Sequence, residues 1–396
     1  MRRPTIGSTL TLTAPQSEPG SLMDSYDRPS YRNWVGVLLG LLLNGSAHFL
    51  SGKRAAGLKW YFGLLACGVI PVALAAIPGT TPYILAALFA LADIVLWFAM
   101  LRQSYRPVPR IGLLGWLAVI GLAVVLGNAE GFLLRQCIQS FKVPTGAMQP
   151  TIFGVHSRDV PVDAPDRPGF LRQLMSGDRF VEVKASSGGF LSGPYPDSAN
   201  PSRWAYRVGS QEYDLPRLAR PLKRFGAHVS AGDTLWSGVI TAGDCLLVER
   251  ISYRFGKPKR GDIVVFRTRG IKGLPSDTFY IKRVAGLPGE RIRIEPPYLI
   301  VDGQKVSEPT IFRTISTKSK GYEGYKLADY SVPVDGTLTN SADEIVLGTD
   351  EIFVLGDNTS NSRDSRYWGA VPEKNIVGKA TRIYWPFTRV NALEGR

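Results

Sequence analysis

Charged residues nearly vanish from four apolar runs, 34–50, 58–77, 83–101 and 111–126, while the chain beyond Gln136 is polar, short-patterned and punctuated by Gly and Pro. The two parts are built for different solvents. The last three runs approach or reach the roughly 20 residues that cross a hydrocarbon core, and they predict membrane helices near 58–77, 83–101 and 111–132. The first run carries Asn44-Gly45-Ser46-Ala47-His48 where a bilayer centre would lie. Hydrocarbon penalises such polar, helix-poor backbone, so 34–50 is expected to be a re-entrant or interfacial hairpin.

Basic residues in the short connections set an orientation. Lys53, Arg54 and Lys59 precede the second run, Arg102, Arg106 and Arg110 separate the third from the fourth, and the turn at 78–82 has none. The positive-inside rule then keeps the first two connections cytoplasmic and the Pro-Gly turn outside. Arg2, Arg3, Arg28 and Arg32 hold the N-terminal segment on the cytoplasmic side too. Three crossings place everything after the last run outside the cytoplasm. Residues 5–27 are polar and rich in Ser and Pro, which reads as a cytoplasmic tail (1–33) rather than a cleavable signal. Asp93 lies inside the third run; with His48 as its one potential intramembrane partner, it is read as a helix–helix hydrogen-bonding residue rather than part of a proton path.

Beyond the membrane region (34–134), runs at 264–267, 278–284, 291–294, 298–301, 351–355 and 381–384 are rich in Val, Ile, Phe and Tyr and bounded by turn residues, predicting strands. Asp302-Gly303 marks a tight hairpin. Residues 152–241 differ in character, with frequent Pro, Gly, Ser and Arg, and are too long for a structureless loop. The expected organisation is a β-rich domain made of 135–151 and 242–396, interrupted by an insertion at 152–241. Its Trp204 and Trp236 are expected in a core rather than at a membrane interface.

Composition removes several classes. At 44% hydrophobic, the 396-residue chain is too apolar for disorder. Cys67, Cys137 and Cys245 lie far apart, as do His48, His156 and His228. Neither a disulfide scaffold nor an ordinary zinc cluster is expected, and no metal or cofactor is called for. Lys plus Arg exceed Asp plus Glu, 47 against 33. That surplus suits nucleic acid or an anionic membrane; without an aromatic-basic stripe, nucleic acid is not expected as a partner.

No phosphate loop, HExxH or histidine close to a Ser or Cys is present, so a hydroxyl here would have to be activated by a lysine. A lysine is a base only when neutral, which near pH 7 requires apolar burial. Lys282 fits: in Phe279-Tyr280-Ile281-Lys282-Arg283-Val284, alternation puts Tyr280, Lys282 and Val284 on one face and Arg283 on the other. The stretch 356–369 is dense in hydroxyls, amides and carboxylates; Ser362 and Asp364, two apart, are placed to aim at one ammonium, and Asp364 to pair with Arg366 or Arg363. In 143–151, Pro144, Gly146 and Pro150 hold the backbone extended or turned, ready to present amides to a ligand. Asp262 is read as structural, and Tyr367 and Trp368 as core.

These segments resemble the type I signal peptidase family, membrane serine endopeptidases that remove signal peptides from exported proteins. The resemblance covers 141–151 and 242–372. It rests on four ordered motifs: Pro144-Thr145-Gly146-Ala147-Met148-Gln149-Pro150-Thr151, Gly261-Asp262-Ile263-Val264-Val265-Phe266, Tyr280-Ile281-Lys282-Arg283-Val284-Ala285-Gly286-Leu287-Pro288-Gly289-Glu290, and 356–369. It implies a mainly antiparallel β domain of signal-peptidase type on the extracytoplasmic side of a bacterial inner membrane, anchored by a multi-pass helical region. Signal peptides, membrane lipid and the secretion translocon are the implied partners. By position, Lys282 matches the family's general base, Ser362 and Asp364 the residues that orient it and brace its loop, and Thr145 an oxyanion-hole hydroxyl. Pro144, Gly146, Met148, Pro150 and Tyr280 fall where substrate is bound after small residues of the Ala-x-Ala kind.

One position departs from that pattern. Where the family has its nucleophile this chain has Ala147, which carries no hydroxyl. Three readings follow: a serine replaced to give an inactive form, a variant in which Thr145 attacks instead, or a silent module that binds signal peptides or assists an export complex. Thr145 lies two residues away, roughly 6–7 Å along an extended strand, a displacement that near-attack geometry does not tolerate without a rebuilt loop.

Overall fold

The computed structural model describes residues 30–76, 80–164, 167–196, 203–216, 221–329 and 337–393. The expected tail therefore lies almost wholly outside the described residues. Two compact units emerge, one from the first 66 residues with 92–128, the other from 67–91 with 129–396.

Three helices, Arg54–Ala76, Thr80–Ser104 and Leu113–Cys137, contain windows long and apolar enough to cross a membrane. The first apolar run does not join them. It breaks into Asn33–Leu42 and Ser46–Leu50 at Asn44-Gly45, where Gly45 takes a φ of 79°. A Cβ there would collide with the Gly57 carbonyl, so the bend needs glycine twice over. His48 is buried and meets Arg106 Nη2 at 3.1 Å. The Oδ1 of Asp93 is buried with no hydrogen-bond partner among the described residues.

In the second unit the main sheet runs in the order Val371–Pro372, Glu351–Leu355, Phe279–Gly286, Ile263–Arg267, Ile376–Trp385, Cys245–Glu249, Ile138–Lys142, with Asn391–Ala392 paired to Ile376–Trp385; all its pairings are antiparallel. Every strand expected from the sequence is present, the last one longer than its apolar run because its polar residues pair on both sides. The sheet curls until Phe141 packs edge-on against Phe279, ring centres 5.2 Å apart. A second sheet pairs Gln304–Lys305, Tyr298–Val301, Arg291–Glu295 and Ile345–Val346, and buries Ile292, Ile294 and Leu299 against helix Thr310–Ser316. Its hairpin turns at Asp302 (φ 48°) and Gly303 (φ 78°), both left-handed as a tight Asp-Gly turn requires. Cys67, Cys137 and Cys245 are free thiols.

The segment inserted after the 143–151 motif folds on a core of its own. Strands Arg179–Lys184 and Thr234–Thr241 pair with each other, His156–Asp159 flanks them, and Gly189–Pro196, Arg203–Val208 and Gln211–Pro216 form a meander. Leu191, Tyr206, Val208, Leu215, Leu235 and Trp236 fill the space between. Trp236 is fully buried and donates its indole N–H to Asp159 Oδ1 at 2.7 Å, whereas the side chain of Trp204 lies outside the described residues.

Removing that ring leaves a cavity and takes the indole donor away from Asp159. Trp236→Ala is expected to lower the stability of the inserted sheet by about 3–5 kcal/mol. Amide hydrogen exchange checks it: strands Arg179–Lys184 and Thr234–Thr241 lose protection while Tyr298–Val301 keeps its own.

Candidate active site

Lys282 sits on the central strand Phe279–Gly286, flanked by Ile263–Arg267 on one side and Glu351–Leu355 on the other. Its side chain is 4% exposed. Nζ donates to the carbonyl of Ile281 at 3.1 Å and lies 5.6 Å from the centre of the Tyr280 ring. Tyr280 is itself wedged against Phe266 and Trp368. Burial pushes the amine down to about 8; Asp364 and Asp357 work against that shift and Arg366 works with it. The anticipated sheltered lysine is therefore present.

The neighbouring Arg283 points to the opposite face, as alternation requires, but that face is also closed. It meets Asp357 through Nε–Oδ1 at 2.8 Å and Nη2–Oδ2 at 2.7 Å, and donates Nη1 to the Gly261 carbonyl at 2.8 Å. Thr151 donates to the same carboxylate and shares a hydrogen bond with the Tyr322 hydroxyl at 2.9 Å. This pair was not legible in the sequence, where Arg283 reads as the outward residue of a half-exposed strand. The available signal was weak: an aspartate one glycine beyond the apolar run at 351–355.

Asp364 accepts from Arg366 in a fork, Nε–Oδ1 at 2.7 Å and Nη2–Oδ2 at 2.9 Å, and from the amide of Gly356 at 3.0 Å. Arg366 also donates to the carbonyls of Lys326, Thr359 and Ser362. Of the two arginines considered for Asp364, the structure selects Arg366; Arg363 reaches instead toward Gly273. The Ser362 hydroxyl is buried with no hydrogen-bond partner among the described residues, so it makes no bond to the lysine in this state.

The segment 143–151 comes to this loop from the other side. Asn358 donates its amide to the Ala147 carbonyl and its side-chain Nδ2 to the Gly146 carbonyl, each at 3.1 Å. A Cβ on Gly356 would collide with the Ser362 side chain and press on the Ala147 carbonyl, so glycine is what allows the two segments to meet. Ala147 and Met148 are buried, Pro144 and Thr145 exposed, Gly146 and Pro150 in between. Sequence reasoning missed Asn358 entirely, because nothing in its spacing shows which backbone it holds.

The base of the insertion reaches the same segment. A Cβ on Gly154 would run into the backbone of Thr145, and one on Gly243 into the carbonyl of Val143. Asp244, fully buried, accepts from the Phe153 amide at 2.8 Å and from Arg389 in a fork. Asp262 is structural as read, accepting from Tyr253 and the Lys259 amide and pairing with Lys379 at 2.9 Å. Tyr367 is buried and Trp368 packs on the core around Val264, Phe266 and Val354.

The candidate site thus consists of a sheltered lysine on the central strand, a hydroxyl-rich loop at 356–366, and a bend and turn over 145–151, rather than an extended strand, that Asn358 holds to that loop. The family model described as "Signal peptidase, peptidase S26" matches residues 232–385, beginning at the last strand of the inserted sheet. A signal peptidase I of Bacillus caldolyticus is 36% identical over 163 residues, 41% of this chain and 81% of that protein. One of Leptolyngbya laminosa is 37% identical over 157 residues, 39% of this chain and 66% of its own. A probable signal peptidase I-2 of Synechocystis is 35% identical over 151 residues, 38% of this chain and 59% of its own. The chain thus spans just under two thirds of the first of these two relatives and about three fifths of the second. A solved signal peptidase I from Enterococcus faecalis matches at 29% identity over 32% of this chain and 98% of that one; its TM-score of 0.24 carries no argument. The chain belongs to the type I signal peptidase family.

Neutralising one half of a buried pair strands the other. Asp357→Asn is expected to cost about 3–5 kcal/mol, while Arg283→Met with Asp357→Leu recovers most of it. Thermal unfolding of the three chains measures the difference.

Proposed function

We propose that this chain is a signal-peptidase-type membrane endopeptidase framework whose site takes the signal peptides of exported preproteins and reads small residues before the scissile bond. Lys282 is the general base, Thr145 with a backbone amide the oxyanion support, and position 147 the seat of the attacking oxygen. The observation that carries this is the burial of Lys282, which brings its amine to about 8 and so leaves a usable neutral fraction near neutrality. The substrate lies extended beside 144–150, adding main-chain hydrogen bonds to that segment. The three apolar helices and the basic connections between them support a multi-pass location in a bacterial inner membrane, with the β domain outside the cytoplasm.

With Ala at 147 the chain binds signal peptides and does not acylate. Thr145 does not replace the missing hydroxyl: it is exposed, two residues along, while Ala147 is the buried residue whose carbonyl the loop at 356–362 grips. In the restored site a hydroxyl at 147 would lose its proton to neutral Lys282, attack the carbonyl carbon and expel the mature amine, which takes that proton; water then releases the acyl group.

Ala147→Ser is therefore expected to raise preprotein cleavage by about 10²-fold or more over the parent chain, and Lys282→Ala in that background to abolish the gain. Because the protonated amine is inactive, kcat/KM of Ala147→Ser should rise with pH through about 8 and then level off. Thr145→Val in the parent chain separates the rival reading: cleavage present in the parent and lost in this variant would make Thr145 the nucleophile and overturn the proposal.

A further inference from the structure

The surface around Phe255 lies outside the site and has no role in it. Strand Cys245–Glu249 ends in the short helix Ser252–Phe255, where Phe255 is 88% exposed and Ile251 39%. The two side chains together present an apolar spot at the surface. Arg250, Arg254, Lys257 and Lys259 surround it, the last three exposed. Lys257 has a carboxylate, Glu373, at 3.8 Å. The two arginines are held by neutral groups: Arg250 Nη1 donates to the Arg135 carbonyl at 3.1 Å and Arg254 Nη2 to Gln136 Oε1 at 3.0 Å.

Those two bonds also fix the location. Arg135 and Gln136 belong to the last turn of Leu113–Cys137, the third helix apolar enough to cross a membrane, and the Arg250 amide adds a bond to the Cys137 carbonyl at 2.9 Å. The exposed ring and its cationic collar are thus tied to the place where that helix passes from apolar to polar sequence. Rings flanked by cations at such a level suit the headgroup layer, where the ring enters the acyl boundary and the cations meet phosphates.

We propose that the 250–259 segment is an interfacial anchor that docks on an anionic lipid surface, with Phe255 inserted and Arg250, Arg254, Lys257 and Lys259 against headgroup phosphates. Anionic lipid is the fitting occupant because the collar is cationic and the chain leaves the bilayer beside it. This rests on the reading of Leu113–Cys137 as a membrane span, and holds the β domain at a fixed height for substrates that are still in the bilayer.

The test uses the full chain, with its three native cysteines replaced by serine, reconstituted in vesicles of zwitterionic lipid with or without phosphatidylglycerol. A spin label at Phe255→Cys is compared with one at Ser307→Cys, an exposed position in another loop. With phosphatidylglycerol present, the label at 255 should be several-fold less accessible to a water-soluble nickel relaxant than that at 307, and more accessible to oxygen. Changing Arg250, Arg254, Lys257 and Lys259 together to Gln should remove most of the difference. Equal accessibility at 255 and 307 in a chain that floats with the vesicles overturns the anchor alone. A chain that does not float with them overturns the membrane reading as well.

Discussion

Desolvation of one amine is the constraint on which the rest of this molecule is arranged. An ammonium buried on a β-strand is unfavourable unless it can give up its proton, and the fold keeps Lys282 4% exposed between Tyr280 and the loop at 356–364. The opposing pull of Asp364 and Asp357 is moderated because both carboxylates are already committed to arginines, Asp364 to Arg366 and Asp357 to Arg283. Without those partners each would act as a bare negative charge beside the lysine and hold its proton. Burial thus leaves the amine near 8 rather than at its ordinary 10.5, against the pull of Asp364 and Asp357 and with Arg366 adding to the shift.

The same pairs give the site its geometry. Asp364 grips the Gly356 amide and Arg366 gathers three carbonyls of the surrounding loops, so the 356–366 turn is rigid with few regular hydrogen bonds of its own. That rigid turn then holds the 146–147 carbonyls through Asn358. Buried charge here contributes specificity of shape more than stability, since apolar replacements of such pairs are commonly as stable.

Much of this was legible in the residues. Period-2 alternation around Lys282, the turn at Asp302-Gly303 and the polar break at Asn44-Gly45 are local signals, and each one appears in the structure where the pattern put it. What stayed hidden is non-local. The partners of Arg283, the two bonds of Asn358 and the contact of Gly154 with Thr145 depend on how distant segments meet, which no spacing encodes. At Asp93 a helix–helix bond was expected, and its Oδ1 has no partner among the described residues. The inserted segment gave composition and length but not its sheet, because its strands are short and interrupted by Pro and Gly.

The lowered pKa of Lys282 is the claim everything else leans on. It can be read directly from full-length protein carrying 15N-lysine, with the Nζ resonance assigned through Lys282→Arg and followed across the neutral and alkaline range. A midpoint near 8 agrees with a sheltered base, whereas a midpoint near 10.5 would mean that water reaches the ammonium and that the chain lacks the group its proposed chemistry requires.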